Sequence, residues 1–190
     1  MSDPGEALNR LLEALGRCAI PYLIGGSLAS GIYGVYRMSL DVDLVADIHP
    51  GQIARLTSEL GDRFYADSEI IRDALTRGRS FNVIHFASGY KFDIFPLSSD
   101  EYQQTQFSRR VVKDIVLGGE TLAVPVATAE DTLLMKLAWY RSGGEVSERQ
   151  WNDVRGIVAV QGPRLDCEYL HKWSAYLRVA DLLDSALRLG

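Results

Sequence analysis

The sequence predicts an α+β fold in which a strand-bearing domain precedes a purely helical one. Between Tyr22 and Ala46 the residues read as strand, glycine turn, helix and strand. Two later pairs of strand-like runs follow, residues 80–86 with 90–95 and 111–117 with 120–126, each joined by a glycine-bearing turn. At Pro125–Thr128 the apolar period changes from two to about four, and only helical spacing remains beyond it. These observations place a boundary there, with one domain over residues 1–126 and a small helical domain over residues 127–190. A chain of 190 residues buries roughly 70% of its unfolded surface and needs no covalent staples.

Taken in order, Glu6–Arg17 carries Ala7, Leu8, Leu11, Leu12, Ala14 and Leu15 at helical spacing, and Gly16 closes the stripe. Pro21–Ile24 is a strand running into Gly25-Gly26-Ser27. Glycines lack a Cβ, so the backbone there can turn sharply and approach a bulky anion. Ser27 stands where a helix N-cap would, and the free N–H groups of a first turn, helped by the helix dipole, suit phosphate oxygens. In the strand Asp41-Val42-Asp43-Leu44-Val45 the side chains alternate, so both aspartates face one way while Val42 and Leu44 face the core. Two carboxylates side by side repel unless a cation joins them, and a hard, oxygen-seeking ion such as Mg²⁺ is the natural partner.

His49 and Pro50 open a second helix that reaches Leu60 and buries Ile53, Leu56 and Leu60; His49 reads as a turn residue. Residues 67–76 form a third helix, and Arg77-Gly78-Arg79 a solvated basic turn. In the strand at 90–95, Lys91 and Asp93 share a face and Phe92 and Ile94 take the other. Lys91 either meets a phosphate or pairs with a carboxylate, the pair being favoured, and His85 reads as a satisfied sheet residue. Residues 100–110 are a short helix or loop, with Arg109, Arg110 and Lys113 on a solvated face. Thr128 caps a helix with Glu130 and Asp131 in its first turn and Leu133, Leu134, Leu137 and Ala138 on its apolar face. Ser147 caps the next, and two more follow at about 166–176 and 179–189. Trp139, Tyr140, Trp151 and Trp173 read as core, and Asp153 as a helix-surface acid.

Composition narrows the function. Lys and Arg number 20 against 25 Asp and Glu, a net charge of −5, which argues against bulk attraction to long duplex DNA. Cys18 and Cys167 are too far apart in sequence to suggest a disulfide framework or zinc site and read as buried free thiols, which suits a reducing cytoplasm. The opening MSDPGEALNRLLEALG has the pattern of an amphipathic helix rather than a cleavable signal, and no apolar run approaches the ~20 residues of a membrane span. A soluble cytoplasmic protein is expected. A calcium loop starting at Asp41 fails, because Ala46 stands at the glycine position and Gln52 at the closing glutamate. A dinucleotide fingerprint fails at Ser27, and no Gly-Lys-Ser/Thr follows for a P-loop.

Gly25-Gly26-Ser27, a spacer of about a dozen residues and then Asp41-x-Asp43 before apolar residues resembles the signature of the DNA-polymerase-beta-type nucleotidyltransferase superfamily. Arg37-x-Ser39-x-Asp41-x-Asp43 is similar to its small prokaryotic members, which include antibiotic nucleotidyltransferases and the nucleotidyltransferase-like toxins of phage-defence systems. The resemblance implies a mixed, nucleotidyltransferase-like sheet flanked by helices and followed by the helical domain. It further implies a third carboxylate, placed at Asp93, so that Asp41, Asp43 and Asp93 form the catalytic set and hold two Mg²⁺ ions, with Mn²⁺ as a substitute. Gly25, Gly26 and Ser27 would grip the β- and γ-phosphates of an NTP such as ATP. Arg37 would neutralise phosphate charge or brace the aspartates. Lys136 would face the nucleotide, unless it is a surface or ion-paired lysine. The implied reaction is metal-dependent transfer of an NMP to an acceptor hydroxyl, on a tRNA end, a protein or an aminoglycoside-like small molecule, with release of pyrophosphate. The alternative is a catalytically silent nucleotide-binding protein of the same fold, regulatory or antitoxin-like.

Overall fold

The sheet is assembled from short strands whose buried residues alternate with exposed ones. In the computed structural model, which describes residues 4–36 and 41–189, the strands are β1 (Tyr22–Ile24), β2 (Asp41–Ala46), β3 (Phe64–Tyr65), β4 (Phe81–His85), β5 (Lys91–Pro96), β6 (Val111–Leu117) and β7 (Glu120–Val126). They lie in the order β3-β4-β5-β2-β1-β7-β6. The sheet is mixed: β2 runs parallel to β5, and β1 parallel to β7, while the remaining neighbours are antiparallel. Two parallel strands cannot be joined by a tight hairpin, and the chain between β2 and β5 makes the required excursion through α3 (Ile53–Leu60), α4 (Ser68–Arg77) and the strands β3 and β4.

The core of this part is built from the apolar stripes of its helices and the buried residues of its strands. Helix α1 (Pro4–Arg17) buries Ala7, Leu8, Leu11, Leu12, Ala14 and Leu15. Helix α3 packs against α1 and buries Ile53, Leu56 and Leu60. Asp67 caps α4 by accepting the N–H groups of Glu69 and Ile70, and Asp100 caps α5 (Glu101–Arg109) by accepting that of Gln103. His85 is buried, its Nδ1 lies 2.9 Å from Ser88 Oγ, and burial pushes its imidazole below the ordinary histidine range. Both sheet edges are distinctive: β3 is two residues long, and β6 carries exposed Val112 and Val116 around adjacent Lys113 and Asp114.

The chain divides into two compact units, Met1–Ile24 with Leu40–Val126 and Gly25–Ser39 with Ala127–Gly190. Helix α2 (Gly26–Tyr33) therefore falls in one unit with α6 (Ala129–Ser142), α7 (Glu148–Gln161), α8 (Cys167–Tyr176) and α9 (Ala180–Leu189), and packs against α6 and α7. Small residues allow this. A Cβ on Gly34, at the end of α2, would stand 2.9 Å from the backbone of Gly156 and Ile157 in α7, and one on Gly156 would stand 3.2 Å from Val35 N. Thr128, Ser147 and Asp166 cap α6, α7 and α8, each accepting a backbone N–H three residues on. Gln161 fixes the far end of α2 by donating to the Tyr33 carbonyl oxygen at 2.8 Å.

Two expectations change. Cys167 is exposed, because it is the first residue of α8 and lies outside the helix's buried set of Leu170, Trp173 and Ser174, whereas Cys18 is buried as expected. Trp139 and Trp151 are half-buried, and only Trp173 of the three tryptophans is core. Among the described residues no helix is long and apolar enough to cross a membrane.

The Gly34–Gly156 approach makes a stability prediction. Gly34→Ala forces backbone apart in a packed helix crossing and should cost about 1–3 kcal/mol, measured by urea unfolding, whereas Gly16→Ala, which meets nothing within 4 Å, should be neutral or stabilising.

Candidate active site

The parallel register of β2 and β5 aligns Asp43 with Asp93 and Asp41 with Lys91. Aligned residues on neighbouring strands project from the same face, so three carboxylates and one ammonium share a surface. Val42, Leu44, Phe92 and Ile94 project oppositely and are buried, which fixes both strands. A one-residue slip would turn the carboxylates into the core. Strands lie about 4.8 Å apart, and two carboxylates at that spacing repel by about 1–3 kcal/mol at a half-solvated site.

Lys91 relieves part of this repulsion. Its Nζ lies 2.9 Å from Asp93 Oδ2 and 3.9 Å from Asp41 Oδ1, with side-chain exposures of 38% for Lys91, 21% for Asp93 and 48% for Asp41. The hydrogen bond to Asp93, joined by the charges of Asp93, Asp41 and Asp43, holds the ammonium above the ordinary lysine range. Across β4 the register places Asn82 beside Asp93 and Ile84 beside Lys91, completing the two rungs. Among the described residues no three His, Cys, Asp or Glu side chains stand close enough together to hold a metal ion as they are. The donors are hard oxygens on one face with an ammonium between two of them, and that chemistry fits a hard divalent ion.

The glycine turn belongs to the helical unit. Gly25 is the N-cap of α2, with φ −122 and ψ −146, and Gly26 has φ +56, a conformation that only glycine adopts without strain. Ser27 is thus in the first turn and not at the cap, a correction that follows from the left-handed Gly26 starting the helix one residue early. Gly25, as the N-cap, has no side chain with which to cap that turn. Ser27 is buried, and its Oγ accepts a hydrogen bond from Arg149 Nη2 at 3.3 Å. Sequence reading missed Arg149, since nothing local links residues separated by 122 positions.

Lys136 is buried in the same unit. Its Nζ donates to Asp153 Oδ2 at 2.7 Å, with side-chain exposures of 2% and 6%. Asp153, expected on a helix surface, is therefore buried; the α6–α7 crossing covers it and Lys136 neutralises it. Nearby, Asp131 is fully buried and accepts from Tyr169 Oη at 2.6 Å and Thr128 Oγ1 at 2.8 Å. Burial, followed by the charges of Glu130 and Asp131, pushes the Tyr33 phenol up to about 12. Among the arginines that could form a basic rim for a tRNA end, Arg141 is held by Asp181 at 2.6 Å and Glu145 at 2.9 Å, and Arg79 is exposed. Arg37 and Ser39 lie outside the described residues.

No protein-family model matches the chain, and no curated protein matches its sequence. Solved structures do match in fold. The crystal structure of ANT(2'')-Ia in complex with adenylyl-2''-tobramycin shares it at a TM-score of 0.54 and 15% identity, over 91% of this chain and 95% of that one. The solution structure of the antibiotic-resistance factor ANT(2'')-Ia does so at 0.52 and 15%, over 89% and 92%.

The buried pair is testable apart from any activity. Asp153→Ala strands a buried ammonium and should cost about 3–5 kcal/mol, whereas Lys136→Met combined with Asp153→Leu should recover most of that loss, both read by thermal and urea unfolding.

Proposed function

We propose that the chain is a divalent-cation-dependent nucleotidyltransferase that moves an NMP from an NTP to an acceptor hydroxyl and releases pyrophosphate. The observation that carries this reading is the pairing of Asp43 with Asp93 on parallel neighbouring strands, with Asp41 on the same face, in a chain that shares the fold of ANT(2'')-Ia.

Asp41, Asp43 and Asp93 are the residues that would hold Mg²⁺, as one or two ions, with Mn²⁺ able to replace it. Bound there, the cation supplies Lewis-acid charge that lowers the pKa of an attacking hydroxyl and stabilises the transferring phosphoryl group. The protein contributes placement. The packed Val42, Leu44, Phe92 and Ile94 keep the carboxylates in register, so little reorganisation is needed when substrate binds. Gly25, Gly26 and Ser27 grip the triphosphate through N–H groups at the start of α2, with Arg149 adding positive charge at Ser27.

ATP as donor and a small-molecule hydroxyl as acceptor are supported by the adenylyl-2''-tobramycin bound to ANT(2'')-Ia. The engagement of Arg141 with Asp181 and Glu145 weakens the case for a basic rim that would suit a tRNA end. Two free thiols support a cytoplasmic location. The ion pair of Lys91 with Asp93 is the observation that favours the second reading, a protein that binds nucleotide without turnover.

Incubation with each α-labelled NTP, Mg²⁺ and separate pools of aminoglycosides, tRNA and protein tests this. Label should enter the small-molecule pool, and chelation by EDTA should abolish transfer. Asp43→Asn and Asp93→Asn should each lose about a thousandfold in kcat/KM, ~4 kcal/mol of transition-state stabilisation, with the melting temperature unchanged or raised. Full activity in either variant defeats the metal assignment, and calorimetric NTP–Mg²⁺ binding without pyrophosphate release selects the second reading.

A further inference from the structure

Lys91 places its ammonium among the carboxylates that would hold a cation. Its Nζ stands between carboxylates of two strands, 2.9 Å from Asp93 Oδ2 and 3.9 Å from Asp41 Oδ1. Mg²⁺ joining those groups would sit about 2.0–2.1 Å from each oxygen. Ammonium and dication cannot share that space, and at such separations their mutual repulsion is several kcal/mol even with strong screening. The register puts Lys91 there by construction, because Lys91 aligns with Asp41 and lies two residues from Asp93 on the same strand and face.

We infer that Lys91 is a built-in competitor for the divalent ion. This rests on the reading of Asp41, Asp43 and Asp93 as the cation site. In the ion-free protein the ammonium offsets part of the cluster's negative charge and keeps Asp93 aligned; a divalent ion enters by exchanging with it at Asp93. That exchange weakens the uptake of free divalent ions, and an arriving triphosphate, which brings its own charge and oxygen ligands, tips it. Lys91 thereby ties ion loading to nucleotide arrival. It is a positioning residue: it orders Asp93 and sets the affinity for the ion without ligating it.

The test uses the full chain without nucleotide. Mn²⁺ binding is measured by calorimetry and electron paramagnetic resonance in the native protein and in the K91M, K91Q, K91R and D43N variants. K91M and K91Q should bind Mn²⁺ about tenfold more tightly than the native protein, and K91R should restore native affinity. The Lys91 side-chain ammonium resonance, assigned by its loss in K91M, should shift as Mg²⁺ is added. Unchanged or weaker Mn²⁺ binding in K91M and K91Q, or a Lys91 resonance unmoved at Mg²⁺ saturation, overturns the exchange. If that happens while D43N still abolishes ion binding, the nucleotidyltransferase reading stands and only the exchange falls. If neither the native protein nor the lysine variants bind Mn²⁺, both fall together.

Discussion

Everything proposed for this molecule depends on the parallel register between β2 and β5. That alignment is enforced from the apolar side, where Val42, Leu44, Phe92 and Ile94 are nearly inaccessible to water. The polar side inherits an arrangement it would not choose, with like charges on adjacent strands. Burial of four large side chains stabilises by several kcal/mol, on the order of 2 per residue, which exceeds the repulsion of half-solvated carboxylates. The apolar face wins, and the carboxylates are held together on the other side, where Lys91 offsets part of their repulsion.

The helical unit treats charge differently. Lys136 and Asp153 are taken out of water together, and Asp131 is enclosed by Thr128 and Tyr169. Such pairs contribute little net stability compared with apolar replacements but penalise any rearrangement that separates them. They fix the α6–α7 crossing, and α2 is seated in the same unit by the close approach of Gly34 to Gly156. One half-buried rung of opposite charge beside one of like charge contrasts with a sealed ion pair in the helical unit.

Much of this was legible in the sequence, for physical reasons. The period-two alternation in Asp41–Val45 and Lys91–Phe95 announces both strands and their faces, and both hairpins follow from their glycine turns. The N-caps at Thr128 and Ser147 are local signals and were readable as such. What the sequence withheld is long-range. Nothing around Ser27 indicates that Arg149 reaches it, nothing around Lys136 distinguishes a nucleotide-facing lysine from one sealed against Asp153, and the grouping of α2 with the C-terminal helices depends on two glycines far apart in the chain. The misplaced N-cap at Ser27 has a subtler cause, since a left-handed Gly26 shifts the helix start by one residue.

The two margins of the sheet carry a consequence for how the protein behaves in concentrated solution. An open strand margin is a template on which another chain can continue the ladder. Here β3 is too short to serve, and at the opposite margin adjacent Lys113 and Asp114 point to opposite faces of β6, so an in-register antiparallel copy centred on either would bring identical charges together. Those two registers of strand addition are thus discouraged at the β6 margin, and the short β3 offers little ladder at the other.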